Sequence, residues 1–293
     1  MNRSFRALAA LAVCAGSLAV GATAAQAKTL DIVIAGDSYS SGVGGGGGYT
    51  GGACTRSPNT WGQVYGQLAR NKGLTVNVNN VACGGGVVTD LDKQMLAVTP
   101  ETDLVLVTIG GNDVGFANIV IQCFTPGISD PARCQSAIAT GKRKVPGVQT
   151  AALKRLQALK ARMRPGGKVV VMSYPYLANP SNYILRGLFN SFNAGKGARE
   201  LGDLGDQTVI NAGNLANAEA GYDFVTFVPV KDRFIGHEPN QDPFKTNSAG
   251  WIHEFNNLYG ATDIYHPKPA GYRAMGEATM AKAGSGGDFG VSQ

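Results

Sequence analysis

Histidine, tryptophan and long apolar runs are all scarce in this chain of 293 residues, which holds three histidines and two tryptophans. His237, His253 and His266 show no His-Glu-x-x-His spacing and no nearby cysteine pair. That excludes the common helical zinc signature, so no metal is expected. Beyond the first residues no segment approaches the about 20 apolar residues a membrane-spanning helix needs, and no stable membrane anchor is expected. Charge of one sign is also lacking. The formal net charge is +6, and part of it sits in the first few residues, so the field is too weak to imply a nucleic-acid partner. There is no internal repeat, and no linker divides the chain.

The first 27 residues read as an export signal. Arg3 and Arg6 precede an uncharged Ala/Gly-rich apolar run that closes on Ala25-Gln26-Ala27, a small-residue cleavage pattern. Residues 28–283 are expected to form one domain of a secreted, extracellular, monomeric protein, and 284–293 a disordered tail. Cys14 leaves with the signal, whereas Cys54, Cys83, Cys123 and Cys134 remain. An even number of cysteines in an exported chain implies two disulfides. Three pairings are open; Cys54–Cys83 with Cys123–Cys134 is preferred, because the second pair lies within one short, turn-rich stretch.

Five apolar, β-branched runs read as buried strands: Leu30 to Gly36, Leu74 to Val81, Asp103 to Ile109, Lys168 to Ser173 and Phe224 to Val230. Helical spacing lies between them, most clearly at Val148, Ala152, Leu156, Leu159 and Met163. Further helices are expected over Trp61 to Arg70, within Ser181 to Ala220, and over Pro269 to Ala283, where Pro269 suits a first turn. Val114 to Pro146 lacks clear periodicity and is expected to be a loop-rich insertion. Alternating strands and helices imply a mostly parallel sheet covered on both faces, an α/β architecture. Ligands of such sheets bind beyond the carboxyl ends of the strands. There the chain carries Gly36-Asp37-Ser38, Cys83-Gly84-Gly85-Gly86 and Gly110-Gly111-Asn112-Asp113.

A serine hydroxyl becomes a nucleophile only when a base takes its proton and a third group orients that base. His266 in Asp263-Ile264-Tyr265-His266-Pro267 offers the base, with an acid three residues earlier. Negative charge developing on an ester oxygen needs donors already in place. Gly85 allows close backbone approach, and the Asn112 amide donates without a change of charge. Asp37 and Asp113 suit turn and cap positions. Gly42 to Gly47 satisfies a Gly-x-Gly-x-x-Gly search, but no acidic ribose partner follows at the required spacing and Ser38 intervenes, so nucleotide binding is a poor match. The run is expected to form a mobile rim. A non-catalytic binding protein on the same scaffold would make Ser38, Asn112 and His266 coincidental.

These four blocks, in this order, resemble the SGNH or GDSL hydrolases, in particular their secreted actinobacterial esterase/lipase branch. The likeness runs from about Asp31 to the helix after His266. It implies a three-layer α/β/α, flavodoxin-like fold with a five-stranded sheet, and ester hydrolysis through an acyl-enzyme without metal or cofactor. Ser38 would attack, His266 would move the proton and Asp263 would orient His266. The Ser38 N–H, the Gly85 N–H and the Asn112 amide would form the oxyanion hole. The substrate class is an ester of a small molecule, a lipid or an acylated carbohydrate, with Tyr39, Tyr49, Phe116, Tyr176, Phe234 and Trp251 as candidate walls. Three positions depart from the pattern: Tyr39 stands at the leucine of the GDSL name, Gly84 where many relatives have serine, and Asn240 near a cysteine that braces the following loop in many relatives.

Overall fold

A computed structural model describes residues 29–178, 183–240, 245–255 and 262–285. The expected export signal, residues 1–27, and residues 286–293 of the expected tail lie outside them. Five parallel strands form the central sheet: β1 (Leu30–Gly36), β2 (Val76–Asn80), β3 (Leu104–Thr108), β4 (Lys168–Met172) and β7 (Val225–Val228), in the order β2-β1-β3-β4-β7. After β2 the chain crosses back to the far side of β1. The β1/β3 boundary is therefore the topological switch point, where the loops leaving two adjacent strands diverge and open a crevice.

Successive side chains leave opposite faces of a sheet, and β1, β3 and β4 are buried on both faces, whereas burial alternates along the edge strand β2. Leu30, Ile32, Ile34, Leu104 and Leu106 face Trp61 and Tyr65 of α2 (Trp61–Asn71) and Tyr272 and Met275 of α7 (Pro269–Ala283). Val33, Val105, Val107, Val169 and Val171 face Leu156 and Leu159 of α5 (Pro131–Arg162) and Ala212 and Ala216 of α6 (Ala194–Ala220). Trp61 and Tyr272 are completely buried, and truncating a side chain of that size to alanine costs about 3–5 kcal/mol. Thr60 caps α2 through its hydroxyl, which accepts from Gln63 N at 3.2 Å.

One expectation about the connections fails. Val114 to Pro146 is not a loop-rich insertion but α4 (Phe116–Phe124) followed by the first half of α5, a helix of 32 residues that contains Pro146. Its buried positions Cys134, Ala137, Ile138, Gly141, Val145 and Val148 continue the helical spacing upstream. Small residues supply that stripe, so it carries little hydropathy signal, while Pro131 and the Asp130 side chain, accepting from Arg133 N, start the helix. The helix expected within Ser181 to Ala220 is present as a single one, α6, and an antiparallel hairpin that the sequence did not announce, β5 (Ile184–Arg186) with β6 (Ser191–Asn193), precedes it. Cys54 is bonded to Cys83 and Cys123 to Cys134. Each link is worth about 2–4 kcal/mol through its restriction of the unfolded chain. The first joins the loop after the Ser38 segment to the glycine block, and the second pins α4 to the start of α5.

Candidate active site

The segment that carries Ser38 is a one-turn helix, α1 (Ser38–Ser41), that follows β1 directly, with Asp37 as its cap. Only glycine fits at position 36: its φ is +115°, and a Cβ there would stand 2.0 Å from the Thr108 carbonyl oxygen. Gly36 is also clamped by the buried amide of Gln94, the last residue of α3 (Leu91–Gln94), which accepts from Gly36 N at 2.5 Å and donates to Gly36 O at 2.9 Å. The Asp37 carboxylate accepts from Tyr39 N at 3.1 Å, from the Thr108 hydroxyl at 2.9 Å and from the Tyr174 hydroxyl. Burial, and to a smaller extent the charge of Asp113, pushes Asp37 up to about 6. Tyr174 also accepts from Gly111 N at 3.3 Å, so a single hydroxyl ties the Ser38 turn to the Asn112 turn.

Ser38 and His266, 228 residues apart, meet with Oγ 2.8 Å from His266 Nε2. The other ring nitrogen, Nδ1, lies 3.1 Å from the Ile264 carbonyl oxygen. A carbonyl only accepts, so Nδ1 carries the hydrogen and Nε2 is left to accept from the serine hydroxyl. The sequence reading gave the Nδ1 position to the Asp263 carboxylate; the structure gives it to a backbone oxygen one residue further on. The cause is Tyr265, whose φ of 61° turns the chain so that Ile264 O folds back onto the ring. Side chains rarely adopt that conformation, and several contacts hold it: Tyr265 N donates to His253 O at 3.0 Å, and Tyr265 O accepts from the Tyr39 hydroxyl at 2.6 Å. The ring packs against Phe124 and Phe255. Tyrosine at position 39 thus has a task that leucine cannot perform, bracing the segment that carries the histidine. Asp263 binds the Tyr49 hydroxyl instead and acts on His266 through space.

Burial lowers His266 to about 4, outweighing the Ile264 hydrogen bond and the Asp263 charge, which both raise it. The ring is therefore neutral, the form able to take a proton, throughout the range in which free histidine titrates. The sign follows from linkage. A group depressed in the fold contributes stability that is complete above the unfolded value of 6.5 and lost as pH falls to about 4, here about 3 kcal/mol. Asp37, raised, works the opposite way, its contribution present below 3.8 and lost as pH rises through about 6. Monitoring the His266 ring by NMR should find no protonation from pH 8 down to about 5; a midpoint near 6.5 would contradict a buried neutral base.

The glycine and asparagine turns close the site. Gly84 N donates to Cys54 O at 3.0 Å and Gly86 N to Cys83 O at 3.0 Å, while Gly85 N has no acceptor among the described residues. Asn112 Nδ2 donates to Gly86 O at 2.9 Å, which spends one of its two amide hydrogens. The Val88 amide donates to both Asp113 oxygens, at 3.2 and 3.0 Å. The glycine run expected to be a mobile rim is divided: residues 43–45 are buried and 46–48 exposed. Gly44 N donates to the Tyr49 hydroxyl at 2.8 Å, and Gly44 O lies 2.9 Å from His253 Nε2. At Asn240 the buried Glu254 carboxylate accepts from Asn240 N at 2.5 Å and from Asn247 N at 3.1 Å.

A model of the GDSL-like lipase/acylhydrolase family matches residues 34–274, which includes every block described above. The chain belongs to this family. It is accordingly an ester hydrolase. Among GDSL-like relatives, a lipase of Streptomyces rimosus is 32% identical over 264 residues, covering 89% of both chains. Lipase 1 of Streptomyces coelicolor is 31% identical over 276 residues, covering 90% of this chain and 92% of that one. The crystal structure of phospholipase A1 from Streptomyces albidoflavus superposes with a TM-score of 0.68 at 28% identity, covering 86% of this chain and 99% of that one. That of the extracellular Streptomyces rimosus lipase gives 0.67 at 27%, with the same coverage.

Sequence reasoning missed Gln94, Tyr174 and Ile264, and it named Tyr49 only as a candidate wall, not as the partner of Asp263. Gln94 and Tyr174 are single polar residues whose partners come from remote segments, and no spacing announces them. Ile264 contributes only its backbone oxygen, which carries no side-chain signature at all.

Proposed function

We propose that the chain is a secreted carboxylic-ester hydrolase that works through an acyl-enzyme on Ser38 with a two-residue proton relay. The observation that carries this reading is the 2.8 Å contact between Ser38 Oγ and a His266 Nε2 left bare by its own Nδ1–Ile264 bond. Ser38 Oγ attacks the ester carbonyl carbon while His266 Nε2 takes the hydroxyl proton. The oxygen gains its negative charge among the Ser38 N–H, the Gly85 N–H and the free hydrogen of the Asn112 amide. His266 then passes the proton to the leaving alcohol. Water repeats the sequence against the acyl-enzyme, releasing the acid and restoring Ser38. Export is supported by the residue 1–27 pattern and the two disulfides, and the extracellular Streptomyces rimosus lipase points the same way.

Asp263 in this scheme tunes the base by charge without touching it. Asp263→Asn keeps an acceptor for Tyr49 and should lower kcat/KM by less than about ten-fold. Neutralising a directly bonded orienting carboxylate costs ~10⁴-fold, and a loss of that size in this variant would restore Asp263 to the orienting position.

An apolar acyl group fits the surroundings better than a bare acetyl. A cavity of about 120 Å³ is lined by Tyr39, Phe116, Ile109, Val148, Leu201 and Val209. Lys231, also on its wall, pairs with Asp206 at 2.8 Å and Asp203 at 3.0 Å. An acetyl group leaves the apolar walls in contact with water, whereas each added methylene buried there gains about 0.8 kcal/mol. A series of nitrophenyl esters run beside phosphatidylcholine and acetylated xylan should show kcat/KM rising with acyl length from acetate. Highest activity on acetylated xylan, with no gain from longer acyl groups, would favour carbohydrate deacetylation.

A further inference from the structure

The hairpin β5–β6 ends in a turn, Gly187 to Asn190, closed by the Gly187 N to Asn190 O bond at 2.8 Å. Its two central residues are apolar and nearly fully exposed, Leu188 at 88% and Phe189 at 94%. Ile184 at 45%, and Ile128 at 53% in the α4–α5 turn, extend the exposed apolar surface. Gly187 lies against the Pro131 ring, and the Tyr183 ring meets Phe124 at 5.5 Å, so hairpin and α4–α5 turn form one unit. That unit is continuous with the site: Phe124 packs on Tyr265, and Phe116 of the same helix sits 5.8 Å from the His266 ring.

We propose that this tip docks the enzyme on an anionic lipid surface, with Leu188 and Phe189 entering the apolar layer and Arg186 and Arg133 against the headgroups. The tip is convex and narrow, and a protein partner needs about 800 Å² from each side, far more than two side chains offer. An anionic polymer would engage the arginines but leave both apolar side chains in water. A lipid interface satisfies both kinds of surface, burying apolar area beneath the headgroups and drawing cations to them. Charge agrees. No acid occurs from Ile184 to Lys196, Arg186 and Arg133 are exposed, and neither forms an ion pair among the described residues. Asp130, the adjacent carboxylate, is engaged as the cap of α5, and Lys196 lies 3.9 Å from Glu200. The role of the contact rests on the ester-hydrolase reading, since it would hold the catalytic unit against aggregated ester; the contact itself does not.

Vesicle sedimentation in a Ser38→Ala background, where lipid is not consumed, tests the docking separately from catalysis. The full chain should sediment with phosphatidylglycerol/phosphatidylcholine vesicles and much less with phosphatidylcholine alone. Leu188→Ser with Phe189→Ser should weaken that binding roughly ten-fold or more, and Arg186→Gln should reduce its salt sensitivity. With Ser38 present, the double variant should hydrolyse a soluble short-chain nitrophenyl ester within about two-fold of the parent, showing that fold and site are intact. Equal vesicle binding by the double variant overturns the proposal, as does no binding by the parent. A dimer in sedimentation velocity that the double variant abolishes also overturns it, assigning the tip to a second copy. Loss of ester turnover in the parent would instead strike the reading of the site and leave the vesicle result standing.

Discussion

Replacing Ser38 with alanine is expected to lower kcat by roughly 10⁵- to 10⁶-fold, the cost of losing a nucleophile for which no other group can substitute. The prediction is severe because the site is built around one oxygen. Asp37, the nearest alternative nucleophile, is buried and takes hydrogen bonds from Tyr39, Thr108 and Tyr174, so its lone pairs are engaged away from substrate. Ser38 is the first residue of α1 and is itself buried, and losing one hydroxyl leaves the cap, the Gly36 clamp and the sheet contacts in place. The variant should therefore unfold within a few degrees of the parent. Steady-state kinetics on a nitrophenyl ester, with a thermal melt as control, decides it. A kcat within about a hundred-fold of the parent would mean that the oxyanion donors alone, or another nucleophile, carry the reaction.

His266→Ala should fall almost as far, by roughly 10⁵-fold, since Ser38 would then have no base within reach. More informative is the pair. Ser38 and His266 act on one proton, so removing both should be little worse than removing Ser38 alone. If the two losses multiply, the residues contribute separately and the relay is wrong. A mere ten- to hundred-fold loss in His266→Ala would mean that another group takes the proton. His253 is the nearest candidate by chain position, but its Nε2 faces Gly44 O at 2.9 Å.

The fold was legible wherever hydropathy and period agreed. All five sheet strands fall within the runs read as strands, although the edge strand β2 alternates valine with asparagine and is only half buried, and α7 occupies the predicted span from Pro269 to Ala283. The reading stopped where small residues carried the packing, as along Ala137, Gly141 and Val145 of α5, or where a short half-exposed hairpin, β5–β6, stood beside a long helix. At the site, Ser38, Gly85, Asn112 and His266 were named from motifs because each chemistry demands a particular residue type. What escaped was geometry. Asp263, three residues before His266, has the right chemistry to orient it. A left-handed Tyr265, braced by the hydroxyl of a tyrosine 226 positions away, hands that contact to a backbone oxygen. A local sequence pattern cannot report a conformation imposed from across the fold.

The central claim, that Ser38 forms a covalent acyl intermediate with its proton drawn to His266, is tested most directly by trapping. The protein would be treated with a fluorophosphonate at neutral pH, weighed intact and mapped by peptide mass. One adduct on the peptide carrying Ser38, lost in Ser38→Ala and strongly slowed in His266→Ala, is the predicted result. An adduct on any other residue, or full ester turnover by a protein that the reagent leaves unmodified, would contradict it.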